Sequence, residues 1–192
     1  MKKKYKGLPF KEDEESSNYA QFIVTKQPDK KTKIIRFLLI LAYILFALAY
    51  SFVFLSLVKI PYVIAILPGL IILLWFFTWK HTIIEYCYIS TKGIFYVYKI
   101  NGYGNAKEVL SYSLDKCLKI LPTNEDFASD VASYSIDEYI DYSSSVQCSD
   151  RYISIWKIDN KTVGVYFDAS NKLLLSLNYY TKDKVVMTYV SR

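Results

Sequence analysis

The sequence predicts an integral membrane α-helical hairpin followed by an α+β domain, built on a curved antiparallel sheet with a short late helix. Three observations carry this. Two long apolar runs stand side by side and exclude charge. The apolar period changes to two directly after them. One helical pattern returns near the end. The boundaries that follow are a polar N-terminal arm at 1–33, a two-helix hairpin at 34–80 and a β domain at 81–192.

The hairpin is the clearest element. Residues 37–58 carry no charge, Lys59 interrupts, and 60–79 is again uncharged. A run of about 20 residues crosses roughly 30 Å of hydrocarbon at about 1.5 Å per residue. The alternative, two buried helices of a soluble domain, is disfavoured because a soluble core helix rarely stays apolar on every face over that length. The first run starts too late and is too long for a cleaved leader, and Lys59-Ile60-Pro61 leads straight into the second run. With so short a connection the spans pack antiparallel. Pro61 suits a first helical turn, and Pro68 is expected to kink the second span. Ala47 and Ser51 are small residues four apart, as are Ala65 and Gly69, a spacing that lets helix backbones approach. Arg36, Lys59, Trp75, Trp79 and Lys80 mark the membrane interfaces, with Tyr62 as a further anchor. The spans hold no Asp, Glu, Lys, Arg or His, which argues against a self-contained ion pathway.

The formal net charge of +6 is localised. Residues 1–36 carry ten Lys/Arg against five acids, whereas 80–192 balance at thirteen of each. The basic character therefore belongs to the arm and gives no nucleic-acid-binding face. Lys26, Lys30, Lys31, Lys33 and Arg36 precede the first span, Lys80 follows the second, and Lys59 alone lies between them. Lys/Arg asymmetry of this kind predicts a multi-pass protein of the cell membrane with both termini cytoplasmic. The arm reads as flexible, with Glu12, Asp13, Glu14 and Glu15 as a solvated charge run. Within it, 19–24 is apolar enough to lie on the membrane surface or against the later domain.

Past His81, 82–90 and 94–100 read as strands around a tight turn at 91–93, with Ile94, Tyr96, Tyr98 and Ile100 on one face. A turn at 101–105 is rich in residues that tolerate positive φ. Strands follow at 106–113 and 114–121, stopped by Pro122. Residues 123–150 hold seven acids, no base and no glycine, at irregular spacing, so a solvated acidic loop is the reading rather than a Ca²⁺ loop. Such a loop is repelled by an anionic leaflet. Strands resume at 152–158 and 162–167. Asp168 or Ser170 caps a helix at 171–179 that sets Leu173, Leu174 and Leu177 on one side, and 185–190 reads as a last strand.

Four stretches in this order resemble a family of bacterial membrane-anchored pleckstrin-homology-like (PH-like) proteins, found mainly in low-GC Gram-positive bacteria. They are NYAQFIVTKQP before the spans, EYCYISTKGIFYVYKING and EVLSYSLDKCLKILP after them, and VYFDASNKLLLSLNYYTKDKVV near the end. The resemblance implies a PH-like β domain behind a two-helix hairpin and brings no activity with it. The chain departs from the family pattern at its end, where the expected proline after the aspartate-like position and the one before the last valines are missing.

Chemistry-bearing motifs are sparse. His81 is the only histidine and sits beside Lys80 at the apolar boundary, where it reads as an interface anchor rather than as a general base, which needs a positioned partner. Cys87, Cys117 and Cys148 are odd in number and widely spaced, which suggests neither a disulfide framework nor a zinc site. Gly102 and Gly104 lack the third glycine and the helix of a dinucleotide fingerprint. Lys92 and Lys99 are the only bases near the first hairpin, too few to grip a phosphoinositide headgroup. No catalytic, cofactor-binding or metal-ligating residue is expected. The functional expectation is a non-enzymatic scaffold, anchored in the bilayer and presenting its domain to an unidentified membrane or cytoplasmic protein, with self-association as an addition. The alternative is an accessory subunit of a membrane enzyme or transporter that docks through the hairpin.

Overall fold

A computed structural model describes residues 5–8, 18–57, 61–102 and 104–190. Its elements, in chain order, are β1 (Ala20–Thr25), α1 (Lys30–Phe52), α2 (Leu67–Trp79), β2 (Ile84–Thr91), β3 (Ile94–Asn101) and β4 (Ala106–Ser113). Then come β5 (Cys117–Pro122), α3 (Ala128–Ser133), β6 (Glu138–Asp141), β7 (Arg151–Ile158), β8 (Lys161–Asp168) and α4 (Asn171–Thr181). They fall into two units. A β unit draws on Met1–Gln27, Ile84–Ile100 and Gly104–Arg192, and a helical unit on Pro28–Ile83 with Asn101–Tyr103.

The β unit contains two four-stranded sheets, ordered β1-β2-β3-β4 and β5-β7-β8-β6. Pairing is antiparallel between β1 and β2, β3 and β4, β5 and β7, and β7 and β8, while β6 runs parallel to β8. The first strand corrects the expected boundary of the arm. Residues 20–25 run along β2 from Ala20↔Ser90 to Thr25↔Glu85, so they belong to the β unit. The whole helix hairpin is thus inserted between two neighbouring strands of one sheet.

Between the sheets lies an aromatic core. Phe95 stacks on Trp156 at 6.1 Å, Phe167 tilts against Phe95 at 5.3 Å, and Tyr88 meets Phe167 edge-on at 5.8 Å. All four are fully buried. The indole N–H carried inside is satisfied: Trp156 Nε1 donates to Ser154 Oγ at 2.8 Å, and that hydroxyl donates to the Val165 carbonyl at 3.1 Å. α4 packs against this core through Leu173, Leu174 and Leu177. Ser170 Oγ accepts from the Leu173 N–H at 3.4 Å, so Ser170, rather than Asp168, supplies the cap.

Both sheets are also covered on their outer faces, which the periodicity did not show. On the first sheet, Cys87, Ile89, Tyr98 and Ile100 are buried beneath Tyr5, Leu8 and Tyr19. The strap at 5–8 is held by Lys6, whose N–H donates to the Gly104 carbonyl at 2.8 Å and whose carbonyl accepts from Ala106 at 2.9 Å. On the second sheet, Leu121, Ile153 and Ile155 lie under Phe127, Val131, Tyr134 and Ile136. Residues 123–150 are therefore not a solvated loop. All their acids but the buried Asp150 face water while their apolar side chains seal the sheet, and α3 and β6 form within them. Gly164 on β8 makes this cover possible: an added Cβ would lie 3.1 to 3.3 Å from Ile153, Tyr139 and Ile136.

The expected last strand at 185–190 shortens to one parallel bridge, Ile120↔Val185. Ile120 donates to the Lys184 carbonyl at 3.0 Å and accepts from Val186 at 2.9 Å. Beyond it Thr188 turns to the Tyr152 hydroxyl, 2.6 Å from its own, so no ladder continues.

Candidate functional site

The helical unit carries every residue singled out above for anchoring. Its two helical stretches, Lys30–Ser56 and Tyr62–Thr82, contain 27 and 21 residues. At about 1.5 Å per residue they reach roughly 40 and 31 Å, long and apolar enough to cross a membrane. α1 starts at Lys30, before the boundary at 34, and its last turn winds as a π-helix at Val53–Leu57. The second stretch opens as a 3₁₀-helix at Pro61–Ile66 and becomes α-helical at Leu67. Pro68 stands in the first turn of α2, where its missing N–H costs nothing, so it marks a change of winding and not a kink inside an α-helix.

One narrow seam joins the helices. Leu39, Tyr43, Ala47, Tyr50 and Phe54 are half-buried on α1 and the π turn, spaced three or four apart. Two hydroxyls inside the apolar run find partners across the seam. Tyr50 donates to the Val63 carbonyl at 3.1 Å, and the Tyr43 hydroxyl bonds that of Thr78. Thr78 Oγ1 also lies 2.6 Å from the Leu74 carbonyl. At the other end Arg36 Nε donates to Thr82 Oγ1 at 3.1 Å while its guanidinium lies 5.1 Å from the Trp79 ring centre. Lys80 Nζ sits 3.7 Å over the Phe76 ring, and Trp75 meets Trp79 at 6.2 Å. Arg36, Trp75, Trp79 and Lys80 therefore cluster at one end of the hairpin. Lys59 lies outside the described residues, as do Glu12, Asp13, Glu14, Glu15 and Tyr103.

The four small residues separate. Ala47 and Ser51 are half-buried, whereas Ala65 and Gly69 are exposed. A Cβ added at Gly69 would meet nothing within 4 Å, so that face is open within this chain. Away from the seam the surface is apolar: Phe37 is 66% exposed, Phe52 65% and Ile72 64%. No residue in the most apolar stretch of either helix is buried. Sequence reasoning missed Tyr43, Tyr50 and Thr78 as seam residues. The available signal was the seven-residue interval between two tyrosines inside an apolar run.

In the β unit the titratable groups serve packing. Burial pushes the thiols of Cys87 and Cys117 up to about 12, which keeps both protonated. Burial, and then the Glu85 carboxylate that accepts from its hydroxyl at 3.0 Å, pushes Tyr5 up to about 12. The Asp141 carboxylate lies 3.0 Å from Arg151, whose guanidinium stacks 3.9 Å over Tyr166. Among the described residues no three His, Cys, Asp or Glu side chains gather as a metal site would require.

A family model described as Bacterial PH-like domain (DUF6106) matches residues 16–187. The match begins before β1 and runs through both apolar helices to the segment after α4. No curated protein and no solved structure matches the chain.

Proposed function

The chain belongs to the bacterial PH-like domain family, and from that premise we propose that it is a non-enzymatic, membrane-anchored interaction module. The hairpin crosses the bilayer with both termini in the cytoplasm, and the PH-like domain recognises a protein partner there. One observation carries the anchor: two helices of spanning length whose apolar stretches are not buried at all. Two core helices of a soluble protein would be mostly covered. In water, leaving apolar surface uncovered forfeits about 25 cal/mol per Å², while hydrocarbon removes that penalty. The paired hydroxyls of Tyr43, Tyr50 and Thr78 fit the same environment, where an unsatisfied polar group costs several kcal/mol.

Topology tests the reading most directly. Cys148 is half-exposed, whereas Cys87 and Cys117 are buried. A membrane-impermeant thiol reagent should mark Cys148 only after cells are permeabilised. Marking in intact cells would place the domain outside and overturn the cytoplasmic reading. Repeated purification from native membranes that yields the chain alone would count against a protein partner.

A second reading is favoured by the open face at Gly69. The hairpin would dock there onto a membrane enzyme or transporter as an accessory subunit. Gly69→Leu should then abolish complex formation and leave the β domain folded. An unchanged complex would eliminate this reading.

A further inference from the structure

Residues 81–192 carry twelve Lys/Arg against thirteen acids, yet the charge is polarised in space. Residues 123–150 hold seven acids and no base, and they cover the second sheet. Lysines gather at another place, around α4. The β2–β3 turn reaches α4, since a Cβ at Gly93 would lie 3.9 Å from the Tyr180 ring. The Leu114 N–H donates to the Gly93 carbonyl at 2.8 Å, and Lys184 Nζ donates to the Cys117 carbonyl at 2.7 Å. Three turns carrying Lys92, Lys116 and Lys182 with Lys184 therefore meet near the C-terminal end of α4. Asp115 and Asp183 are the acids of these turns, and Asp183 accepts from the Asn178 amide at 3.1 Å.

The outward stripe of α4 reads Lys172, Leu175, Tyr179 at three- and four-residue spacing, Lys182 follows as the left-handed residue that caps its C-terminus, and all four are exposed. Leu175 is 61% and Tyr179 63% exposed. The following segment returns along the helix, its Val190 carbonyl accepting from Asn171 at the opposite end at 3.4 Å, and it presents Met187 and Tyr189, the latter 93% exposed. Of the six large apolar side chains exposed on the β domain among the described residues, these are four; Tyr139 and Val146 are the others.

We infer that this face of α4 and the segment after it is a peripheral docking surface for an anionic lipid bilayer. Leucine, methionine and tyrosine enter the headgroup–acyl boundary, and the flanking lysines engage lipid phosphates. Charge complementarity selects the surface, because the acidic segment is repelled by the leaflet that attracts the lysines. The inference rests on the hairpin being an anchor, since tethering supplies the high effective concentration that makes so small a patch sufficient.

The test uses the full chain reconstituted in phosphatidylcholine vesicles with and without phosphatidylglycerol. A polarity-sensitive dye is placed on Leu175→Cys in a Cys148→Ser background, and in a second sample on native Cys148. The buried thiols of Cys87 and Cys117 stay unlabelled. The dye at 175 should shift to the blue only with anionic lipid, lose that shift at high salt, and lose it in Lys172→Glu/Lys182→Glu at unchanged melting temperature. The dye at 148 should not respond. Release of the chain from vesicles by alkaline carbonate would overturn the anchor and the docking together. A retained chain whose 175 label ignores lipid composition would overturn the docking alone and assign the face to a protein.

Discussion

The two units solve the burial problem in opposite ways. The β domain hides its large side chains within itself, three clusters deep: between the sheets, under the strap at 5–8, and under the segment after β5. The helical unit hides almost nothing and joins its helices by a seam of half-buried residues and a few hydrogen bonds. The difference shows where each gets its stability. The domain's comes from its own packing, and on the proposed anchoring the hairpin's comes from the bilayer around it.

The sharpest way to break that comparison is to excise the hairpin. The Lys26 N–H donates to the Ile84 carbonyl at 2.9 Å, so these residues sit where a tight turn could join β1 to β2. Replacing 27–83 by Asn-Gly should give a soluble, cooperatively folding domain, judged by circular dichroism and gel filtration. A fragment beginning at residue 81 should instead aggregate, because it lacks β1 and exposes the edge of β2. If both behave alike, β1 is dispensable.

Single truncations come next. Trp156→Ala should destabilise the domain by about 3–5 kcal/mol in denaturant titration, because it empties the centre of the aromatic stack. Leu48→Ala on the uncovered face of α1 should leave domain stability unchanged, since Leu48 is 63% exposed.

Alkali should separate the units as well. The folded pKa values of Cys87 and Cys117 lie above the ordinary 9.0, at about 12. Their contribution to stability is therefore whole below pH 9 and is lost as pH rises toward 12. Melting temperatures of the domain should fall across that window, and thiol reagents should reach all three cysteines only there or in denaturant. Near neutral pH they should mark Cys148 alone.

The smallest effects are local. Ser170→Ala removes the cap of α4 and should cost about 1 kcal/mol. Tyr50→Phe removes one hydrogen bond of the seam and should cost about 0.6 kcal/mol in a bilayer unfolding assay.

The helices, most strands and α4 were legible because their signals are local. A charge-free run reads itself, the turn at Lys92-Gly93 takes the positive φ its glycine invites, and the leucines of α4 repeat at helical spacing. The candidate site was legible only in part. Arg36, Trp75, Trp79 and Lys80 stand out as boundary residues, but the seam hydroxyls acquire partners only once the helices pair.

Sequence by itself determined two long apolar helices, an alternating β region and a capped late helix, because hydropathy period and turn chemistry act between near neighbours. Tertiary structure alone decided that 20–25 is the first strand of a sheet resumed after the hairpin. It also decided that an acidic stretch seals the second sheet, and that lysines from three turns gather beside α4. Each depends on a partner distant in the chain, and no periodicity within a segment encodes which distant surface will cover it.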